Sequence, residues 1–328
     1  MDDASRLISV PVEQERRRRS VLTDLLVRLV REKPLGTFGA VIVVLLLFTG
    51  IFADLIAPYH YNETNTDHYL APPSAEHLLG ADNLGRDMLS RVIYGARISV
   101  IIGLSASSLG IIIAATIGTL SGYLGGKVDL IAQRFVDGWM CFPGLVLLIA
   151  AISLIGPGIW QVVLVLGILG GIGSSRIVRG AVIGIKQNAY VEASVASGCS
   201  TGYLLRKHIL PNIMAPLIVM FSTSVPGVIM TEASLSFLGF GIPPPYPTWG
   251  GMLSGAGRTF MERAPWMAIW PGVALTVVVY GINMFGDALR DLLDPRLRGG
   301  LGRYSGAREK GRRRLIRRRE QVPDTPQS

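Results

Sequence analysis

The residues best placed to do chemistry are Glu192-Ala193-Ser194, followed by Gly198 and, further on, by Ile209-Leu210-Pro211. A carboxylate beside two small residues offers a charged contact that a partner surface can approach closely, and glycine permits a sharp turn. Arg206 and Lys207 supply a basic flank. No catalytic set accompanies them. His60, His68 and His77 share one polar segment, but their spacing fits no helical metal pair. No cysteine or carboxylate cluster completes a site there, so the three read as surface histidines. A G-x-x-x-x-G-K-[ST] loop is missing as well, since Gly126-Lys127 is followed by Val128. ATP therefore has no phosphate-binding loop to occupy on this sequence.

The elements that must position the Glu192 string are strongly apolar. Hydrophobic residues make up 49% of the 328 and charged residues only 17%. Uncharged runs extend from Pro34 to Ala53, Ile98 to Gly126, Gly138 to Ser175, Ile209 to Thr231 and Ala264 to Gly286. Each reaches the roughly 20 helical residues needed to cross ~30 Å of hydrocarbon. The third is nearly twice as long, and Gly156-Pro157-Gly158 divides it as a tight turn would. The expectation is an all-α membrane protein with six transmembrane helices. Paired intramembrane ions of the kind an ion-coupled carrier places near the midplane are missing from the runs. Asp137 and Glu232 lie towards their ends.

Basic residues set the expected orientation. The segment before the first span, the breaks after the second and fourth, and the tail carry 27 Lys and Arg, against 5 in the alternate segments. The positive-inside rule puts the larger set in the cytoplasm, with both termini and the Glu192 loop. A net charge of +9 then needs no nucleic acid as partner. The runs Arg312-Arg313-Arg314 and Arg317-Arg318-Arg319 suit anionic membrane lipid or fix topology. No cleavable signal is expected, because the basic start is long and the first apolar run is a full span. Cys141 and Cys199 fall in or near the cytoplasmic half, where a structural disulfide is not expected.

Val21, Leu22, Leu25, Leu26, Leu29 and Val30 share one helical face, opposite Asp24, Arg28, Arg31 and Glu32. That pattern predicts an interfacial helix on the inner leaflet, with a cytoplasmic extension of the first span as the alternative. Gly110, Ala114, Gly118, Gly122 and Gly126 recur at every fourth position, a ridge that another helix can approach closely. The neighbour could belong to this bundle or to a partner subunit. The proline- and glycine-rich stretch from Gly239 to Trp266 is either a docking or gating surface or a rigid external loop.

Tyr190 to Gly198 begins as a helix that glycine can end, Tyr203 to Leu210 resumes helical spacing, and Pro211-Asn212 is expected to close it. The string resembles the EAA loop of ABC importer permeases, with Ser194 in place of the second alanine. His77-Leu78-Leu79-Gly80-Ala81-Asp82-Asn83-Leu84-Gly85-Arg86-Asp87 is similar to the block before span two in permeases for dipeptides, oligopeptides and nickel. So are Glu232 to Gly241, Pro247-Thr248-Trp249-Gly250, and Gly286 to Asp291 ending in Leu293-Asp294-Pro295. The basic start and Ala57-Pro58-Tyr59 resemble the amino-terminal region of the C-type subunit.

That resemblance implies the type I ABC importer permease fold with a cytoplasmic coupling helix. It implies a basic cytoplasmic segment with an interfacial helix (1–33), a first transmembrane helix (34–57) and an external segment (58–97). A five-helix permease core (98–290) containing the coupling loop (180–212) and a disordered basic tail (291–328) would follow. Glu192 would pair with a basic group on an ATPase, Ala193 and Ser194 would allow close contact, and Gly198 would supply the bend. Arg206, Ile209 and Pro211 complete the implied ATPase-coupling set. The implied partners are a second, B-type permease, two ABC ATPases that bind ATP and Mg, and an extracytoplasmic solute-binding protein. The chain itself would be a non-catalytic, multi-pass subunit in a bacterial or archaeal cell membrane. Peptides are the favoured cargo, with nickel or another small solute as the alternative. A secondary carrier is the rival from another class.

Overall fold

The computed structural model describes residues 21–293, with side chains from residue 26 onward. Arg16 to Arg19 and almost all of the basic tail lie outside that range. Helix α1 (Val21–Glu32) is followed by α2 (Pro34–Ile51) and the single turn α3 (Ala53–Ile56). A 3-10 turn (Thr66–His68) lies in the loop that leads to α4 (Met88–Leu124). Then come α5 (Gly126–Met140), α6 (Gly144–Ile155) and α7 (Ile159–Lys186). The short α8 (Ala189–Ala196) and α9 (Thr201–Leu204) precede a π turn (Leu205–Ile209) and α10 (Leu210–Phe237). Two small helices, α11 (Trp249–Leu253) and α12 (Gly255–Thr259), lead to α13 (Trp266–Leu293). Apart from one isolated bridge, Ala81 to Asp87, the described residues pair no strands.

Five helical segments are long and apolar enough to cross a membrane: 34–51, 88–124, 159–186, 201–237 and 266–293. The expected sixth is not straight. Its apolar half, α6, has 12 residues, about 18 Å of helix at ~1.5 Å per residue, too short for ~30 Å of hydrocarbon. The preceding α5 meets it at an 89° bend, so the pair makes at most one broken crossing. Pro143 supplies the reason: it stands as the N-cap of α6 and cannot continue the ladder from α5.

The span boundaries also shift. Helix α4 starts at Met88, ahead of the uncharged run that begins at Ile98, because Asp87 caps it by accepting the Ser90 N–H at 2.7 Å. Its 37 residues extend about 55 Å, so charged Arg91 and Arg97 ride on a helix that outruns the hydrocarbon. At the other end, Gly125 leaves helical geometry with φ +66°, so Gly126 opens α5 instead of extending the glycine ridge.

The rest of that ridge packs inside the chain. A Cβ on Gly118 would stand 2.6 Å from both Ser175 O and Val178 Cβ, and Gly110 and Gly122 likewise face α7. Small residues let the α4 and α7 backbones meet where lipid provides no hydrophobic drive between helices. Helices α2 and α13 form a second close pair, with Gly36 against Ala288 and Gly39 against the backbone at Gly281.

Helix α1 is separate from α2, because Lys33 takes an extended-side φ of −134° before Pro34 starts the next helix. Leu29 is buried with Ala288 and Leu292 of α13, and Lys33 Nζ donates to Asp291 Oδ2 at 2.6 Å. The amino-terminal helix is thereby fastened to the carboxy-terminal end of the bundle.

Candidate functional site

The loop carrying Glu192 is built on buried anchors. Val191, Leu204 and Ile209 are almost wholly buried, and Leu204 and Ile209 join Tyr123, Val178, Val182 and Ile213 in one apolar cluster. These anchors alternate with exposed Glu192, Ala193, Gly198, Arg206 and Pro211, so the loop turns its polar and small residues outward. Ser194 is half-buried, and its Oγ donates to Tyr190 O at 2.8 Å. Glu192 lies in the first turn of α8, where a carboxylate is favoured by the unpaired N–H groups. Among the described residues, no cation lies within ion-pair distance of it.

Gly198 makes the turn. Its φ is +77°, its N–H bonds to Val195 O at 2.9 Å, and Cys199 N–H reaches back to Ser194 O at 3.2 Å. No neighbour comes within 4 Å of a Cβ placed there, so the backbone angle, not crowding, demands glycine. Ser200 then caps α9 by accepting the Tyr203 N–H.

Pro211 does not close the second helix. The chain continues from Thr201 to Phe237, and the π turn just ahead of Pro211 carries it through. Leu210 N–H bonds to Leu205 O, five residues back, and so loosens the ladder where proline has no N–H to give. His208 falls in this turn. Its Nε2 lies 3.4 Å from Ser194 Oγ, and its ring sits 5.8 Å from those of both Tyr190 and Tyr203. It joins the two short helices side chain to side chain. Only the fold could reveal that contact, since His208 and Ser194 are distant in sequence.

Behind the loop, Arg179 of α7 donates from Nε and Nη2 to both oxygens of Asp129, at 2.5 Å each. Arg176 pairs with Asp137 one turn away, and Lys186 Nζ donates to Tyr123 O at 2.8 Å. Planar two-point pairing fixes direction as well as distance. The bent helix α5 is therefore held against the helix that leads into α8. Ile209 stands apart from the rest of the anticipated set: it is 0% exposed and anchors the loop instead of presenting a contact.

Residues 108–299 match the family described as binding-protein-dependent transport system inner membrane component. The chain belongs to that family. As a binding-protein-dependent inner membrane component, it is a multi-pass transport permease. Residues 23–73 also match the N-terminal TM domain of oligopeptide transport permease C. The oligopeptide transport system permease protein OppC of Bacillus subtilis is 39% identical over 268 residues, covering 82% of this chain and 88% of that protein. The dipeptide transport system permease protein DppC of Alkalihalophilus pseudofirmus is 37% identical over the same shares. The di/tripeptide permease DppC of Pseudomonas aeruginosa is 40% identical, over 79% of this chain and 88% of its own. A solved structure of the MetNI methionine ABC transporter, in inward-facing conformations, aligns with 63% of this chain and 98% of its own at TM-score 0.49 and 18% identity.

At the opposite end of the permease, Trp266 Nε1 donates to Ala81 O at 3.0 Å and Trp249 Nε1 to Val92 O at 3.1 Å. The stretch from Gly239 to Trp266 is thus packed onto the block around Asp82 and the start of α4. Between them lies a cavity of about 410 Å³ lined by Asp82, Arg86, Arg91, Ser236, Tyr246 and Met252, among others. Asp82 is buried and accepts from Leu84 N, Arg86 N and Arg86 Nε, and Arg91 Nε of α4 lies 3.6 Å from it, so it fastens its own loop and the start of α4. His77 differs from the expected surface histidine. It is 5% exposed, with Nδ1 3.0 Å from Asp87 Oδ1 and Nε2 2.9 Å from His68 Nδ1.

Proposed function

We propose that this chain is one half of the transmembrane pathway of an ATP-driven importer of di- or oligopeptides. The observation that carries the reading is the exposed Glu192, without an ion-pair partner among the described residues, on a short helix whose neighbouring residues are locked into the core. A charge presented this way is suited to pair with a basic group on another protein. Two ATPase subunits, which bind ATP and Mg, supply the work, and this chain carries no catalytic step. A homologous B-type permease completes the pathway, and an extracytoplasmic binding protein delivers solute. The names of the relatives, which act on dipeptides, di/tripeptides and oligopeptides, support peptides as cargo.

Orientation follows the charge count. With α5 and α6 taken together as a bent crossing, the described residues hold six spans, an even count that fits the expectation of both ends on one side. The side rich in Lys and Arg is the cytoplasm, which puts the Glu192 loop where an ATPase can meet it. Closure of the ATPases would draw the two coupling loops together and switch the pathway between outward and inward access.

Co-purification tests the reading. Detergent-extracted chain brings down a P-loop ATPase, and Glu192→Lys abolishes both that association and peptide uptake while leaving the permease in the membrane. An intact chain that never associates with an ATPase, or normal uptake by Glu192→Lys, overturns it.

A further inference from the structure

We propose that His68, Glu76 and His77 form a binding site for a borderline divalent cation, zinc above all. Their ligand atoms all lie within 4.8 Å of one another. Imidazole and carboxylate together suit zinc, and two histidines with one carboxylate form one of its known ligand sets.

The buried partner of His77 prepares it for this role. Asp87 is itself 4% exposed, and its Oδ2 accepts both the N–H and the Oγ–H of Ser90 at 2.7 Å. The Nδ1 of His77 faces the other oxygen of this carboxylate, a group suited to accept from an imidazole N–H. In the tautomer that donates from Nδ1 to Asp87, the lone pair of His77 is on Nε2, which faces His68 Nδ1. A carboxylate orienting a ligand histidine through its second nitrogen is the outer-shell arrangement that metal sites use.

The other two ligands can adjust. His68 side chain is 24% exposed and Glu76 61%; Glu76 Oε1 lies 3.8 Å from His68 Nε2, the nitrogen opposite the one that faces His77, so the carboxylate must swing on its flexible stem to share the ion. Two nitrogens on one tetrahedral zinc, each bonded at about 2.0–2.1 Å, stand roughly 3.3 Å apart. The present 2.9 Å separation needs only a small opening on the His68 side to admit the ion. Water would fill what Glu76 leaves free. The bound ion would tie the loop at residues 66–77 to the amino-terminal cap of α4 through His77, Asp87 and Ser90. This clip is independent of what the permease carries and of which ATPase drives it.

Purified full-length chain in detergent, carrying an affinity tag without histidine and stripped with chelator, is titrated with zinc alone. We expect one equivalent to bind, and cobalt(II) in its place to show the intense visible bands of a tetrahedral site. The double variant His68→Ala/Glu76→Gln alters the exposed ligands and should bind at least tenfold more weakly, with the cobalt bands lost. Asp87→Asn should weaken binding roughly 10- to 100-fold, and His60→Ala should change nothing. Equal zinc affinity in wild type and the double variant, or loss of binding in His60→Ala, overturns the site.

Discussion

His208 Nε2 stands 3.4 Å from Ser194 Oγ, bridging the two short helices of the Glu192 loop across the turn at Gly198. Tyr190 and Tyr203 flank the same imidazole, so the angle between the helices depends on one side chain from the π turn. His208→Ala should leave the buried anchors Val191, Leu204 and Ile209 in place while freeing α8 to reorient. On the proposed function, peptide uptake is expected to fall about tenfold, equivalent to ~1.4 kcal/mol, with membrane levels unchanged. Uptake assays alongside immunodetection of membrane fractions measure both. Unchanged uptake would show that the imidazole does not set the angle.

Gly198 isolates the backbone contribution to the same loop. Because space is free around it, Gly198→Ala meets only the penalty of a left-handed angle, about 1–2 kcal/mol. The substitution should lower uptake in part, whereas Gly198→Pro, whose ring forbids a positive φ, should abolish it. A transport series across the two variants reads the order. Equal activity in both would mean that the turn does not matter for coupling.

Close approach of α4 and α7 predicts a stability effect. Gly118→Leu forces a side chain against Ser175 O and Val178 and should cost about 1–3 kcal/mol or more. Gly180→Leu, on the exposed side of α7 where no atom lies within 4 Å, should be close to neutral in the isolated chain. Thermal unfolding in detergent compares the two. A ridge turned towards a partner subunit would instead leave the isolated Gly118→Leu chain as stable as wild type.

Asp54 ties α3 to α4. Its carboxyl is held below its ordinary 3.8 chiefly by hydrogen bonds from Arg97, whose Nη2 donates at 2.8 Å, and then by the Tyr94 hydroxyl at 2.8 Å. A carboxyl with a lowered folded-state value stabilises the fold above its unfolded value, and that contribution is lost as pH falls through the folded one. The clamp should therefore be intact at neutral pH and release only below about pH 4. Asp54→Asn should weaken the α3–α4 attachment at pH 7 and remove this acid sensitivity. Hydrogen exchange of residues 53–57, followed from pH 7 to pH 3, reads the difference. Identical pH profiles for wild type and variant would rule the clamp out.

Periodicity and charge made the span-forming segments legible, because lipid imposes one requirement on every crossing residue. The Glu192 string stood out for a related reason, as a polar, small-residue island between such segments. The bend at Pro143 was hidden, since α5 is amphipathic and carries charges that disqualify it as a span by composition. The burial of His77 was hidden, because its neighbours Asp87, His68 and Tyr59 come together only in the fold, and three scattered histidines show no spacing that predicts it.

Sequence by itself determined the class of this permease, the near-complete set of crossing helices and the polar Glu192 string between them. Local hydropathy, charge and turn chemistry suffice for those, since each acts within a few neighbouring residues. Tertiary structure alone decided that the glycine ridge faces α7, that Pro211 is carried through a π turn, that Ile209 is an anchor, and that His68 meets His77. Those outcomes depend on which surfaces come together across long chain separations, and close packing, not local propensity, selects them.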